Sequence, residues 1–339
     1  MLIRVCAFSN KGWNLYKQIE KLDEEDVFEI IQKEEIEEFL RSSFEYSLPI
    51  LFIGAVGIAV RKIAPFINNK LTDSPVIVID DMGKYVIPIL AGHVGGANEL
   101  AVRIANIINA TSVITTSTDI NDKFAVDIFA KKNGLRIVNK DGIKEVSSKL
   151  LKDENIYIYT GEYETKKPLG KLVNVIDEDY LRNANSDSIK ADVYIGKDYM
   201  KEALNLYPKE YVIGIGCKKN TEFDLIEEAI INKLNGLNID ITDVAAVASI
   251  DLKKKEKGLL RFTSKYHLSF ITYSAEELNE VEGEFAESEF VKNTTGVGNV
   301  CERAAVRCAG ADCEIICHKE SKKEITIAIV KRKVIIGNW

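Results

Sequence analysis

Short apolar runs of strand length alternate with helical stretches along most of this chain, and glycines stand where one gives way to the other. Residues 2–8, 48–53 and 75–79 read as strands, and Met82-Gly83-Lys84 reads as a hairpin turn into residues 85–89. Leu100, Ile104, Ile107 and Ile108 recur at helical spacing over residues 97–108. A short strand over 112–116 follows, then a helix over 121–133 that closes near Gly134. The rhythm returns at Tyr211, with strands over 211–215, 244–250 and 268–273 and helices over 221–234 and 254–266. A glycine loop and helix over 295–309 and two strand pieces over 314–318 and 324–330 end the pattern. Such a chain buries its apolar runs in mainly parallel sheets with helices on their faces. Between about Leu135 and Pro208 the rhythm weakens, and Lys, Asp, Glu and Asn surround short β pieces at 156–160, 172–176 and 193–195. The expected fold class is therefore α/β. Layered N-terminal (1–134) and C-terminal (209–339) domains with mainly parallel sheets are joined by a smaller, variable α+β middle region (135–208).

Composition narrows the function classes. The chain has 339 residues, 46% of them apolar and 29% charged, which suits two or three packed domains and excludes global disorder. Lys and Arg number 45 against 52 Asp and Glu, so the net charge of −7 argues against a nucleic-acid partner. A local basic pocket for an anionic ligand remains compatible with that balance. The longest apolar run, from Leu48 to Val60, contains two glycines and stops at Arg61 and Lys62, short of the about 20 residues a membrane helix needs. No secretory signal is visible, so the expected compartment is the cytoplasm. Of six cysteines, Cys301, Cys308, Cys313 and Cys317 cluster beside His318, yet no CxxC pair occurs. They read as small buried residues on a helix and a strand, and no protein metal site is expected.

Four loops could carry chemistry. In the first, Gly54 and Gly57 precede Arg61 at a strand-to-helix junction, where backbone N–H groups can meet an anion. It completes neither a P-loop nor a GxGxxG motif. The second, Leu90-Ala91-Gly92-His93-Val94-Gly95-Gly96-Ala97-Asn98-Glu99, sets one of only three histidines among three glycines. An imidazole there can serve as base and then acid near neutral pH. The third, Thr115-Thr116-Ser117-Thr118-Asp119, offers hydroxyl donors to carboxylates and an acid that could orient a base; it reads equally as a helix-capping run. The fourth joins Gly214, Gly216, Cys217, Lys218 and Lys219 at a second junction, with Asp251 and Lys253 ending the next strand. Ligands of open α/β sheets collect at the carboxyl ends of strands. Cys217 has no evident base and reads as a spectator.

These motifs, in this order, resemble the CbiG family. GAVGIAVR, LAGHVGGANELA and TTSTD resemble its N-terminal region, and GIGCKKNT with ASIDLKKKEKGLL resembles its C-terminal domain, which is also similar to CobE. The cysteine-rich end from Cys301 to Cys317 has no counterpart in the resemblance. The resemblance implies a cobalt-precorrin-5A hydrolase of anaerobic cobalamin biosynthesis. Such an enzyme opens a δ-lactone between the ring A acetate arm and C20, releases the two-carbon unit at C20 as acetaldehyde and leaves cobalt-precorrin-5B. Cobalt then belongs to the substrate, and no cofactor of the protein is implied. The partner is a cobalt-corrinoid small molecule, with room for transient contacts to neighbouring pathway enzymes and for a homo-oligomer.

That chemistry assigns roles to the loops. His93 would deprotonate water and then a hydroxyl, with Asp119 as the second catalytic candidate. The N–H groups of Gly95 and Gly96 would face the oxyanion. Gly54, Gly57, Arg61, Gly92, Asn98, Glu99, Thr115, Thr116, Thr118, Gly214, Gly216, Cys217, Lys218, Asp251 and Lys253 would line the substrate, with Arg103 and Lys219 as further cations. Two other readings stay open: a corrinoid carrier without catalysis, and a nucleotide-binding enzyme.

Overall fold

The structure is a computed structural model describing residues 1–31, 35–69, 72–93, 95–116, 124–166, 170–179 and 190–337. Its described residues build three main sheets, each with its own core.

The first sheet runs in the order β2-β1-β3-β4-β5-β6. Its strands are β1 (Leu2–Ala7), β2 (Val27–Ile30), β3 (Ile50–Ile53), β4 (Val76–Ile79), β5 (Tyr85–Leu90) and β6 (Thr111–Ser112). β1 to β4 are parallel, β5 runs antiparallel to β4, and β6 parallel to β5. Alternate residues face opposite sides of a strand, so the apolar runs fill two cores at once. Ile3, Val5, Leu51, Ile53 and Ile77 pack on helices α1 (Asn10–Leu22) and α4 (Ala97–Ile108). Cys6, Phe52, Val76 and Val78 pack on α2 (Ile36–Glu45) and α3 (Val56–Ile63). Each fully buried Ile, Leu or Phe contributes roughly 1.5–3 kcal/mol relative to exposure. Strand β6 is shorter than the expected 112–116.

The middle sheet orders as β10-β8-β11-β12-β7. It comprises β7 (Leu135–Ile137), β8 (Ile156–Tyr159), β10 (Val173–Ile176), β11 (Val193–Ile195) and β12 (Leu204–Pro208), parallel except for β7. Its core takes Phe129 and Ala130 from α5 (Val126–Asn133) and Ile143, Val146 and Leu150 from α6 (Asp141–Leu151). Helix α5, expected with the N-terminal layer, thus packs on the middle sheet: Phe129 is fully buried there, and Phe124 lies against it. Val334 and Ile336 enter the same core from the far end of the chain, where β18 (Ile335–Ile336) pairs with β9 (Glu164–Thr165).

The third sheet orders as β15-β14-β13-β17-β16. β13 (Tyr211–Cys217), β14 (Val244–Ile250) and β15 (Ser269–Tyr273) are parallel, while β17 (Ile325–Lys331) and β16 (Glu314–Lys322) close one side antiparallel. Helices α7 (Phe223–Gly236) and α8 (Lys257–Lys265) cover one face, and α9 (Ala275–Asn279) and α11 (Val300–Ala309) the other; α10 (Glu289–Thr295) precedes α11.

Helix α8 also joins the first and third sheets. Leu260 packs with Leu2 and Leu48, Ser264 Oγ donates to the Ser47 carbonyl at 2.8 Å, and Lys257 and Arg261 both approach Glu29, at 3.1 and 3.4 Å. Burial pushes the Glu29 carboxyl up, but Lys257, Arg4 and Arg261 together hold it below its ordinary value. No described helix is long and apolar enough to cross a membrane.

Candidate active site

Sheet direction separates two loops that the sequence reading brought together. Ile53 pairs with Ile79 and Ile79 with Val86, so Gly54 leaves β3 at the edge where β5 begins. Leu90 pairs with Val76 and Val76 with Ile50, so Gly92–Gly96 leaves β5 at the opposite edge. At roughly 3.3 Å per residue, strand length alone keeps these loops about 10 Å apart. The cause is the β4–β5 hairpin, whose turn Asp80 organises by accepting from the N–H groups of Met82, Lys84 and Tyr85. Gly83 supplies the positive φ of +66° that the turn needs. Gly54 and Gly57 therefore lie away from His93, and Arg61 is exposed on the last turn of α3.

The His93 loop folds tightly on itself before α4. Ala97 N–H donates to the Ala91 carbonyl at 3.2 Å, and Asn98 N–H to the Gly92 carbonyl at 3.0 Å. A Cβ at Gly95 would meet Ala91 Cβ at 2.6 Å and its carbonyl oxygen at 2.7 Å, so that position needs glycine, whereas one at Gly92 would meet Asn98 Oδ1 at 2.7 Å and displace the Asn98 amide. Gly96 caps α4 with a left-handed φ of +83°. Its N–H donates to the His93 carbonyl at 3.0 Å, which corrects the expectation that this group faces an oxyanion. Asn98 Nδ2 donates to Thr116 Oγ1 at 2.9 Å, tying α4 to the segment after β6. Thr115 and Glu99 are exposed. Thr118 and Asp119 lie outside the described residues.

The residue that faces His93 is Asp127, on the first turn of α5. His93 Nδ1 lies 3.6 Å from Asp127 Oδ2, and both side chains are largely buried, 15% and 12% exposed. Asp127 also accepts from the Ile128 N–H at 2.9 Å. Burial pushes its carboxyl up, but the His93 contact and backbone N–H donors outweigh burial and hold it below the ordinary aspartate value. A carboxylate at Nδ1 keeps the ring proton there and leaves the lone pair on Nε2, the tautomer a general base requires. Nothing local in the sequence marks Asp127, because the contact is tertiary. Its one signal is an acid at a helix start, which also reads as ordinary capping.

The glycine half of the fourth loop is strand, and only residues 218–222 turn into α7. β13 runs through Gly214, Gly216 and Cys217. A Cβ at Gly214 would fall on the Cys301 carbonyl oxygen of α11, and one at Gly216 would meet Thr326 Oγ1 at 2.6 Å. These glycines seat a helix and a neighbouring strand on the sheet; they form no anion nest. Burial pushes the Cys217 thiol up, away from the thiolate. Lys218 pairs with Glu324 at 2.7 Å in solvent, and Lys253 with Glu256 at 3.5 Å. Asp251 and Lys219 are exposed. Arg103 is held by Asp23 at 2.8 Å and by Asp26, which makes it a structural cation of the first layer. Cys301 is buried on α11 and Cys317 on β16, and burial pushes the Cys301 thiol up to about 11.

Three family models match the chain. They are described as Cobalamin synthesis G N-terminal over residues 38–119, Cobalamin biosynthesis central region over 124–215, and Cobalamin synthesis G C-terminus over 211–330. A protein of Salmonella typhimurium named Cobalt-precorrin-5A hydrolase is 34% identical over 271 residues, covering 78% of this chain and 77% of the relative. A protein of Priestia megaterium with the same name is 34% identical over 307 residues, covering 86% and 81%. The solved structure of CobE, a protein from the cobalamin biosynthetic pathway, aligns with a TM-score of 0.35 at 23% identity, covering 37% of this chain and 91% of that one. With such identity along most of both chains, this chain belongs to the Cobalamin synthesis G family, the family its loops resemble.

Proposed function

We infer that this chain is a cobalt-precorrin-5A hydrolase, a hydrolase acting on a carbon–carbon bond in cobalamin biosynthesis. The observation that carries the reading is its 34% identity, along most of its length, to two relatives of that name. The reaction the family resemblance implies has two stages. Water adds to the δ-lactone carbonyl, and the bond between that carbonyl carbon and the lactone oxygen breaks, leaving a carboxylate arm and, on C20, a hydroxyl. Loss of the hydroxyl proton then drives cleavage between the ring and C20. The electron pair passes to the macrocycle, and the two-carbon unit leaves as acetaldehyde.

Each stage asks for one base near neutral pH. We assign it to His93, through Nε2. Asp127 at Nδ1 orients the ring and stabilises the imidazolium formed when a proton is taken, and the 3.6 Å approach supports this pairing. Asn98, held to Thr116, is a candidate donor to the substrate beside His93. In this reading cobalt arrives and leaves with the substrate, no resident cofactor takes part, and the reaction runs in the cytoplasm.

The decisive experiment incubates purified protein anaerobically with cobalt-precorrin-5A and follows ring mass and acetaldehyde together. The expected result is loss of the two-carbon unit with matching acetaldehyde. A protein that binds the corrinoid but releases no acetaldehyde is a carrier, and that result overturns the enzyme reading.

A further inference from the structure

A second set of groups meets beside the His93 loop, from chain connections that no motif marks. Lys131 lies on the last turn of α5, with Nζ 3.5 Å from where a Gly96 Cβ would stand. Lys209 sits in the short link between β12 and β13, and its N–H donates to the Gly134 carbonyl at 2.9 Å, just past the end of α5. Arg332 fixes this corner by donating to the carbonyls of Lys209 at 2.9 Å and Asn133 at 3.0 Å. His267, between α8 and β15, has Nε2 3.5 Å from Ser47 Oγ, on the same edge of the first sheet that the His93 loop leaves. Ser47 in turn donates to the Thr72 carbonyl at 3.1 Å. All three sheets contribute to this junction.

Glu99 Oε2 stands 3.9 Å from the same Gly96 position as Lys131 Nζ, but around Lys209 and His267 the charge is one-sided. Among the described residues no carboxylate lies within ion-pair distance of Lys209 or His267, whereas Arg136 and Arg332 lie near Lys209. Burial pushes the Lys209 ammonium below its ordinary value, Arg136 and Arg332 push it further, and Asp243 opposes them only in part. Asp243 already approaches Arg136 at 3.6 Å. The His267 ring reaches solvent, yet burial and its cationic neighbours Lys209 and Lys131 hold it below the ordinary histidine value. The role of Arg332 is accounted for by the carbonyls it caps, whereas among the described residues Lys209 Nζ has no such partner. A half-buried cation among like charges is costly unless an anion joins it. The substrate of the proposed reaction is rich in carboxylate arms.

We propose that Lys209 and His267, with Lys131 beside Gly96, form an anion-binding wall next to the His93 loop that holds a carboxylate arm of the substrate. This rests on the functional reading above and adds where the macrocycle's acidic rim is gripped. It places the binding determinants in the connections between sheets, and it gives the lactone a fixed position relative to His93.

The test measures equilibrium binding of cobyrinic acid, a cobalt corrin with free carboxylate arms, and of its fully esterified form. Wild-type protein should prefer the acid, more strongly at low salt. Lys209→Met should weaken acid binding about tenfold, the effect of one charge-assisted hydrogen bond, and leave ester binding unchanged. Lys209→Arg should retain most of the acid preference. A folded Lys209→Met that binds the acid like wild type, or loses acid and ester equally, overturns the proposal. If Lys209→Met fails to fold, His267→Asn serves instead, since asparagine tolerates the left-handed φ of +51° at this position; unchanged acid binding there also overturns it. Acetaldehyde release by wild type, together with unchanged acid affinity in the variants, removes the wall and leaves the hydrolase reading standing. Wild-type protein that binds neither corrin and releases no acetaldehyde removes both.

Discussion

The loop that carries His93 and the strand that carries Gly214 both bring glycines against a helix, α4 in one case and α11 in the other. In the loop, a Cβ at Gly92 or Gly95 collides within the loop or with the first turn of α4. Those glycines let the backbone fold on itself and leave one imidazole facing a carboxylate from another sheet's helix. In the strand, a Cβ at Gly214 collides with the Cys301 carbonyl, so the glycine lets a helix lie flush on the sheet. The adjacent Cys217 is driven toward its neutral form by burial. Glycine density thus marks close approach of backbone in both regions. What separates a site from a seam is a titratable side chain whose partner comes from elsewhere in the fold.

The largest expected effect tests the first region. His93→Gln should lower kcat for acetaldehyde release about 10²–10⁴-fold, the usual contribution of a general base, with KM little changed. A variant with near-normal kcat and a raised KM would instead make His93 a carboxylate donor. Stopped-assay kinetics on matched, folded protein decides between them.

Gly214→Ala tests the second region. Overpacking against a backbone carbonyl leaves nothing flexible to yield, so we expect destabilisation of about 3 kcal/mol or more by urea unfolding. The same measurement on Gly216→Ala should show a smaller loss, since a threonine side chain can turn away. Equal stability of Gly214→Ala and wild type would return this stretch to the class of open loops.

Much of this contrast was legible before the fold. The strands at 193–195 and 244–250 carry the boundaries their apolar runs imply, and the hairpin turn at Met82-Gly83-Lys84 is where its residues put it. The consequence of that turn was not legible, because strand direction decides which loops share an edge, and direction is a property of pairing. The start of β13 falls where its apolar run puts it, but its C-terminal end lies two residues beyond the expected Ile215, for a related reason. A strand buried on both faces has no period-two signal, so its glycines look like the start of a loop. Asp127 is not legible as a site residue in the sequence, because its helix packs on the middle sheet while its carboxylate turns to the first. Lys209 sits in a link of two residues whose importance comes only from what surrounds it.

Asp127→Asn sharpens the site at a smaller scale. Removing the carboxylate that orients His93 should cost roughly 10–100-fold in kcat, less than loss of the base itself. The same variant carries a pH signature. The folded value of Asp127 lies below its ordinary 3.8, so its carboxylate stabilises the fold above that pH, and the stabilisation fades as pH falls through the folded value. The stability gap between wild type and Asp127→Asn should therefore be present at neutral pH and shrink only once pH falls below the ordinary aspartate value. A gap that stays undiminished once pH has fallen well below the ordinary aspartate value would contradict the pairing.

The smallest expected effect isolates the sheet-direction argument. Gly57 lies on the first turn of α3 with nothing within 4 Å of its Cβ position and no positive φ. Gly57→Ala should stabilise the protein by about 0.4–1 kcal/mol, because alanine loses less backbone freedom on entering a helix. Its edge of the first sheet is opposite to that of His93. Acetaldehyde release should keep its wild-type kcat/KM, since the added methyl meets neither the His93 loop nor the groups beside it. A rise in KM with kcat unchanged would put Gly57 against the substrate. The macrocycle would then have to reach around the sheet from one edge to the other, and the separation of the two glycine loops would lose its functional meaning. Thermal unfolding and steady-state kinetics on this one variant measure both terms independently, so a stabilised, fully active protein is the specific outcome that the geometry requires.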